Sequence, residues 1–260
     1  MSPFSFSSLI LTLTTLMFSV ITYQADRNNK VNRAWFYFSI PFGIWSFALF
    51  YITNTVDAQA ALAWQYILDI SAVWIPSTYF AFVATLLRYK KSLTRNVLYV
   101  CSDALSVFSL TPLFKTGIGR LFDFFWVIPG KFYIIFPLFF ALVVVLSIGH
   151  IIATLRRTNE DSTYSSQLKN TIFACIVGFT AGGTNFFPQF FNIYPFGNYI
   201  VIGYIVVMVY GVVRHKLLSP KVVVAQLFTS ALMLVSFVEI IFAETTRQII
   251  YKVVIFCVVT

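Results

Sequence analysis

Charge is what this chain has least of. Only 10% of its 260 residues are Asp, Glu, Lys or Arg, against 59% hydrophobic and 19% aromatic, for a mean hydropathy of +0.83; a water-soluble domain carries about 25% charge. The shortage excludes a soluble globular domain, and the abundance of apolar residues excludes a disordered chain. Cysteine is scarce too: Cys101, Cys175 and Cys257 all lie inside apolar runs, so neither a disulfide-stapled secreted fold nor a CxxC metal or redox pair can be drawn from them. Glycine shows no collagen-like period, and no Gly/Ser-rich or Pro-rich linker or solenoid repeat breaks the chain. Alternation of polar and apolar residues, the mark of a barrel strand, is missing where it would matter, since 132–155 is apolar on every face. Helices are the spanning structure that remains.

Catalytic signatures are missing as well. There is no HExxH, GxSxG, GxGxxG or Walker A sequence, so metalloprotease, hydrolase, dinucleotide and P-loop chemistry lack their required groups. The segment is therefore expected not to be an enzyme and to need neither cofactor nor metal. His150 lies near the end of one apolar run and His215 just beyond another, inside an Arg-His-Lys anchor. No Lys or Arg precedes Arg27, so the first apolar run lacks the basic start of a signal peptide and is expected to be retained.

What the chain does have is apolar runs of about 20 residues, each enough to cross a ~30 Å hydrocarbon core as a helix. They fall at 4–23, 34–53, 64–87, 96–114, 132–155, 170–187 and 198–213. The expected fold class is all-α: a polytopic membrane bundle of seven transmembrane helices. An eighth run, 222–243, follows, and a ninth, from Ile249 to Thr260, is expected to be a helix of which only the first part is present. The expected division is a seven-helix region over 1–220 and additional transmembrane helices over 221–260.

The distribution of charge gives the orientation. The excess of 18 Lys and Arg over 9 Asp and Glu would point to nucleic acid in a soluble chain. Here thirteen bases sit in alternate connections: Arg27, Lys30 and Arg33; Arg88, Lys90, Lys91 and Arg95; Arg156, Arg157 and Lys169; Arg214, Lys216 and Lys221. The other side holds Lys115, Arg120 and Lys131. By the positive-inside rule the N-terminus is extracytoplasmic and the segment after the seventh span is cytoplasmic. The partner is a lipid bilayer, with no nucleic acid. The outer connection 115–131, KTGIGRLFDFFWVIPGK, suits an interfacial re-entrant or amphipathic segment.

Acids within apolar runs mark candidate sites, because a buried carboxylate is costly and seldom idle. Asp69, Asp103 and Glu239 are the three. Asp103, seven residues into its run, is the deepest, suited either to a ligand or proton-coupled role or to a place between helices bonded to Ser or Thr. Asp69, near the outer boundary, is expected in a solvated funnel or bonded to Trp64 or Tyr66. In the sixth span, Gly178 and Gly182 have the spacing of a close-packing seam. Gly182, Gly183, Asn185 and Pro188 weaken the same helix near its outer end. Asn185, Gln189, Asn192 and Tyr194 gather polar groups there, which with Asp69 form the expected ligand-sensing region. Arg214, His215 and Lys216 form the expected output anchor.

Several short segments carry a family resemblance over 9–220: Asn32-Arg33 leading into a second span with Trp45, Ile75-Pro76 before a Phe-rich stretch from Ser77 to Phe82, and Gln167-Leu168 opening span six. The most specific block is Asn185, Tyr194-Pro195 and Gly197 ahead of a span ending Tyr210-Gly-Val-Val-Arg214-His215-Lys216-Leu217-Leu218. In these pieces the chain resembles the N-terminal seven-transmembrane region of bacterial sensor histidine kinases. The resemblance implies a multi-pass inner-membrane input module of a two-component system. It would sense an unknown small ligand or membrane signal and drive a cytoplasmic kinase domain beyond this segment, as a homodimer. The added apolar runs after Leu218 depart from the common arrangement. The rival expectation is a small secondary transporter or channel that binds a coupling cation at its intramembrane carboxylates.

Overall fold

The computed structural model describes residues 2–89, 93–158 and 162–215. The chain is mostly helical: α1 (Pro3–Ala25), α2 (Lys30–Asn54), α3 (Ala58–Leu86), α4 (Leu93–Phe108), α5 (Ile135–Leu155), α6 (Thr163–Gly183), α7 (Phe187–Phe191) and α8 (Asn198–His215). A hairpin, β1 (Lys115–Leu121) and β2 (Phe124–Pro129), separates α4 from α5. Among the described residues, five helices are long and apolar enough to cross a membrane: α1, α2, α3, α5 and the stretch from α6 through α7. At 16 residues α4 reaches only about 24 Å at 1.5 Å per residue. The eighth and ninth apolar runs, with Glu239 and Lys216, lie outside the described residues.

Local chemistry sets the helix ends. Ser2, Asn29, Asp57 and Ser162 each accept a backbone N–H at the start of α1, α2, α3 and α6, which satisfies donors that a helix start leaves orphaned. Inside α1, hydroxyls that would be costly in an apolar setting bond one turn back, as Thr12 Oγ1 does to the Ser8 carbonyl at 2.9 Å and Thr22 Oγ1 to Phe18 at 2.9 Å.

The long helices close into a ring in which α1 packs on α2, α2 on α3, α3 on α5, α5 on α6, α6 on α8 and α8 back on α1. Trp35, Phe38, Phe42, Trp45, Tyr79 and Phe82 fill its interior. Polar stitches fix the seams: Ser46 Oγ donates to the Ser8 carbonyl at 2.7 Å, Asn32 Nδ2 to the Thr22 carbonyl at 2.7 Å, and Asn198 Nδ2 to Ser8 Oγ at 2.7 Å. Outside the ring, α4 leans on α3 with Leu98 and Ser102 buried, and Ser102 Oγ lies 2.7 Å from Ser77 Oγ.

The hairpin corrects the all-helical expectation and the re-entrant or amphipathic reading of 115–131. Its strands pair antiparallel from Lys115↔Pro129 to Leu121↔Phe124 around a two-residue turn, Phe122-Asp123, with φ of 52° and 69°. Positive φ at both turn positions is the geometry that matches strand twist in a tight hairpin. Isolated two-stranded hairpins are marginal. This one is held by burial of Phe124, Phe125, Trp126 and Val127, four successive residues of β2.

Two glycines separate close packing from open space. At Gly197 a Cβ would fall on the Ala181 carbonyl, whereas at Gly149, in α5, it would meet nothing within 4 Å. Gly197→Ala is expected to cost about 1–3 kcal/mol by overpacking, and Gly149→Ala to be neutral or gain up to about 1 kcal/mol in helix propensity. Thermal unfolding in detergent checks this, and equal shifts for the two variants would contradict the packing.

Candidate functional site

The site is built around Asp69, on the inward face of α3. Its carboxylate and the Lys115 ammonium meet at 2.7 Å with both side chains 1% exposed, the one ion pair among the described residues. Gln65, one turn earlier on α3, donates from Nε2 to Asp69 Oδ1 at 2.8 Å. Lys115 Nζ also donates to the Ser109 carbonyl at 2.8 Å and stands 3.7 Å from the centre of the Tyr66 ring, a cation–π contact. Two buried charges are tolerable only when paired and further hydrogen-bonded, and here both conditions are met.

Asp69 is thus neither in a solvated funnel nor bonded to Trp64 or Tyr66, because the first residue of β1 supplies a cation. A bulge lies between the pairs Lys115↔Pro129 and Gly117↔Ile128. Bulges re-aim side chains, and here Lys115 is turned into the core while Thr116 is exposed.

Beside the ion pair, at the hairpin end of the ring, lies a narrow cavity of about 70 Å³. Its walls come from α2, α3, α5, α6, α7 and β2 and are largely apolar, with Phe42, Trp45, Phe136 and Phe179 among them. Three amides, Gln65, Asn185 and Gln189, converge on it. Trp126 Nε1 donates to Gln189 Oε1 at 2.7 Å, and Gln189 Nε2 to the Tyr133 hydroxyl at 3.2 Å. Asn185 Nδ2 donates to the Gly182 carbonyl at 2.9 Å, while its Oδ1 is buried without a partner. An unsatisfied buried acceptor costs about 1–3 kcal/mol, so the site favours an occupant that donates a hydrogen bond there.

The other residues singled out from sequence divide between this cavity and elsewhere. Gly178 abuts the Tyr204 ring, where an added Cβ would come within 2.9 Å, while Gly182 and Gly183 face open space. Gly178 and Gly182 line the cavity. The weakened part of span six takes the form of a 3₁₀ turn, Thr184–Phe186, between α6 and α7, with Pro188 buried at the start of α7. Asn192 ends α7 in the left-handed conformation and is exposed.

Tyr194 is apart from the cavity, edge-on to Phe4, Phe122 and Phe124, and shares a 3.1 Å hydrogen bond with the Tyr199 hydroxyl. Burial, then that bond, push its phenol well above the usual range, so it stays neutral. Asp103 is not lodged between helices but exposed on α4, because the buried stripe of that helix runs through Leu98 and Ser102 and the next position turns away. Arg214 and His215 occupy the last turn of α8.

Sequence reasoning missed Lys115, Gln65 and Trp126. A lone Lys beside an apolar run, set against a lone Asp in another, was the available signal for the first. No protein-family model, characterised protein or solved structure matches the chain.

Removing one partner of the buried pair should be far worse than removing both charges. Lys115→Met is expected to lower stability by about 3–5 kcal/mol, and Lys115→Met combined with Asp69→Asn to recover most of it. A double-mutant cycle from thermal unfolding in detergent checks this; additive losses would mean the charges do not interact.

Proposed function

We propose that this segment is the membrane-embedded input module of a signalling protein, a multi-pass inner-membrane bundle with its N-terminus and hairpin extracytoplasmic. Its output is read on the cytoplasmic side by a kinase domain beyond these residues, in a homodimer. The observation that carries the reading is the cavity. It is an apolar chamber walled on one side by Trp126 and Val127 of β2 and lined by three amides, one of which, Asn185, has a buried side-chain carbonyl without a partner. Its ligand is a small, uncharged, largely apolar molecule with one hydrogen-bond donor, because none of the described residues that line the chamber is charged.

A ligand shifts a bundle only by contacting two arrangements differently. The chamber wall includes Gly178, Gly182, Asn185 and Phe186 around the 3₁₀ turn that joins α6 to α7. From there α6 packs along α8 through Gly178 against Tyr204 and through Asn170 Nδ2, which donates to the Val207 carbonyl at 3.2 Å. Displacement of α6 therefore bears on α8, whose last turn carries Arg214 and His215.

The transporter reading needs a carboxylate free to take up a cation. Asp69 is already held by Lys115, and Asp103 stands on an exposed face of α4. The capture of Asp69 by Lys115 favours the sensor over it.

Two probes that differ only in the donor, 4-ethylphenol and ethylbenzene, test the reading on the natural full-length protein in proteoliposomes. The phenol is expected to raise the unfolding temperature and change kinase output. Ethylbenzene should do neither, and Asn185→Leu should abolish the phenol response. An identical response of wild type and Asn185→Leu, or proton or sodium flux with no change in kinase output, would contradict the reading.

A further inference from the structure

Along the seam between α5 and α6 runs a second hollow, an apolar groove of about 260 Å³. Ala141, Val145 and Ile148 line it from α5, and Cys175, Ile176 and Thr180 from α6. Val145 and Ile176 are exposed, so the groove opens on the outer face of the two helices. Both helices belong to stretches long and apolar enough to cross a membrane.

The groove and the chamber share three walls: Phe140 of α5, Phe179 of α6 and Phe186 of the 3₁₀ turn line both. These rings meet edge to face, with the centre of Phe140 5.5 Å from that of Phe179 and 5.7 Å from that of Phe186. Adjacent residues of α6 stand on opposite sides of this partition, Gly182 lining the chamber and Gly183 the groove. The partition is thus one layer of phenyl rings, which change rotamer without breaking a hydrogen bond. The hairpin side is closed more firmly. There the chamber is walled by the buried Trp126 and Val127, and Trp126 Nε1 is tied to Gln189 at 2.7 Å, so a path past β2 would break that bond.

We propose that the groove is a lateral portal through which the ligand of the chamber enters from the bilayer, with Phe140, Phe179 and Phe186 as its gate. The ligand class is then a membrane-partitioning molecule. This rests on the reading of the chamber as a ligand site. A molecule apolar enough for the chamber also leaves water for hydrocarbon, since both transfers remove the same apolar surface from water. The bilayer therefore holds it at a higher concentration than water does, and delivers it to the α5–α6 seam. Phe186 ends the 3₁₀ turn, so a ligand that passes the gate displaces the turn through which the chamber bears on α6.

The probe for the test is 4-iodophenol, whose heavy atom quenches tryptophan fluorescence, and Trp45 and Trp126 line the chamber. Stopped-flow quenching of the full-length protein in proteoliposomes gives association and dissociation rates, and the saturable end point gives Kd. A Cβ at Gly183 would meet nothing within 4 Å, and its backbone is helical at φ −61°, so Gly183→Leu fills the groove without strain and without entering the chamber. Val145→Trp fills it from α5. Each is expected to slow association and dissociation on the order of tenfold with Kd unchanged, because a plugged path raises the barrier and not the energy of the bound state. Phe140→Ala should speed both steps. Val100→Trp, which adds the same bulk to an exposed position of α4, should leave both rates alone. Wild-type rates in Gly183→Leu and Val145→Trp would overturn the portal and leave the chamber standing, whereas no saturable quenching of the wild type would remove chamber and portal together. A weaker Kd with unchanged association would make the groove part of the binding site and not its entrance. Loss of the dimer by native mass spectrometry with entry unslowed would assign the groove to a second copy of the chain.

Discussion

The ion pair between Lys115 and Asp69 fixes more of this structure than any other contact. Each charge is almost completely buried, and moving either from water to a low-dielectric interior costs several kcal/mol after relaxation. Neither side chain can be placed there alone. Lys115 opens β1 and Asp69 is in the first half of α3, so satisfying the pair sets how deeply the hairpin sits against the ring. Gln65, the Ser109 carbonyl and the Tyr66 ring then complete the hydrogen-bonding and cation–π needs of the two groups.

The chamber is a consequence of that placement. With β1 anchored on α3, β2 presents Trp126 and Val127 to the space between α2, α5 and α7, and Trp126 reaches Gln189. Gln65 belongs to both assemblies, since it bonds Asp69 and lines the chamber. A change in what fills the chamber is thus one side chain away from the buried pair, and one 3₁₀ turn away from α6.

Much of this architecture was legible in the sequence because long apolar runs permit little besides helices. Five of the seven expected spans fall on helices long and apolar enough to cross a membrane, with ends moved by caps such as Asn29 and Ser162 that precede the apolar residues. The gathering of Asn185 and Gln189 near the outer end of span six was also legible, as part of a polar cluster around a weakened helix. The hairpin was hidden because Phe124, Phe125, Trp126 and Val127 are all buried, so β2 lacks the two-residue alternation by which a half-exposed strand is read. Its turn was hidden as well, since Phe122 holds a positive φ that Asn or Gly normally marks. Asp69 and Lys115 are 46 positions apart, and no local pattern links them. Asp103 misled for the opposite reason: depth along a helix is set by counting, but which way a side chain faces depends on a neighbour, and α4 has one only along Leu98 and Ser102.

Residues 115–129 form a hairpin docked on the bundle through Lys115 and the buried part of β2, not a loose surface connection. Amide hydrogen exchange of the full-length protein in nanodiscs measures this directly. Protection of the Gly119, Leu121 and Trp126 amides, which belong to the cross-strand pairs nearest the turn that exchange hydrogen bonds, comparable to that of the α3 amides around Asp69 is the expected result. Exchange at the rate of an unstructured loop while α3 stays protected would contradict it.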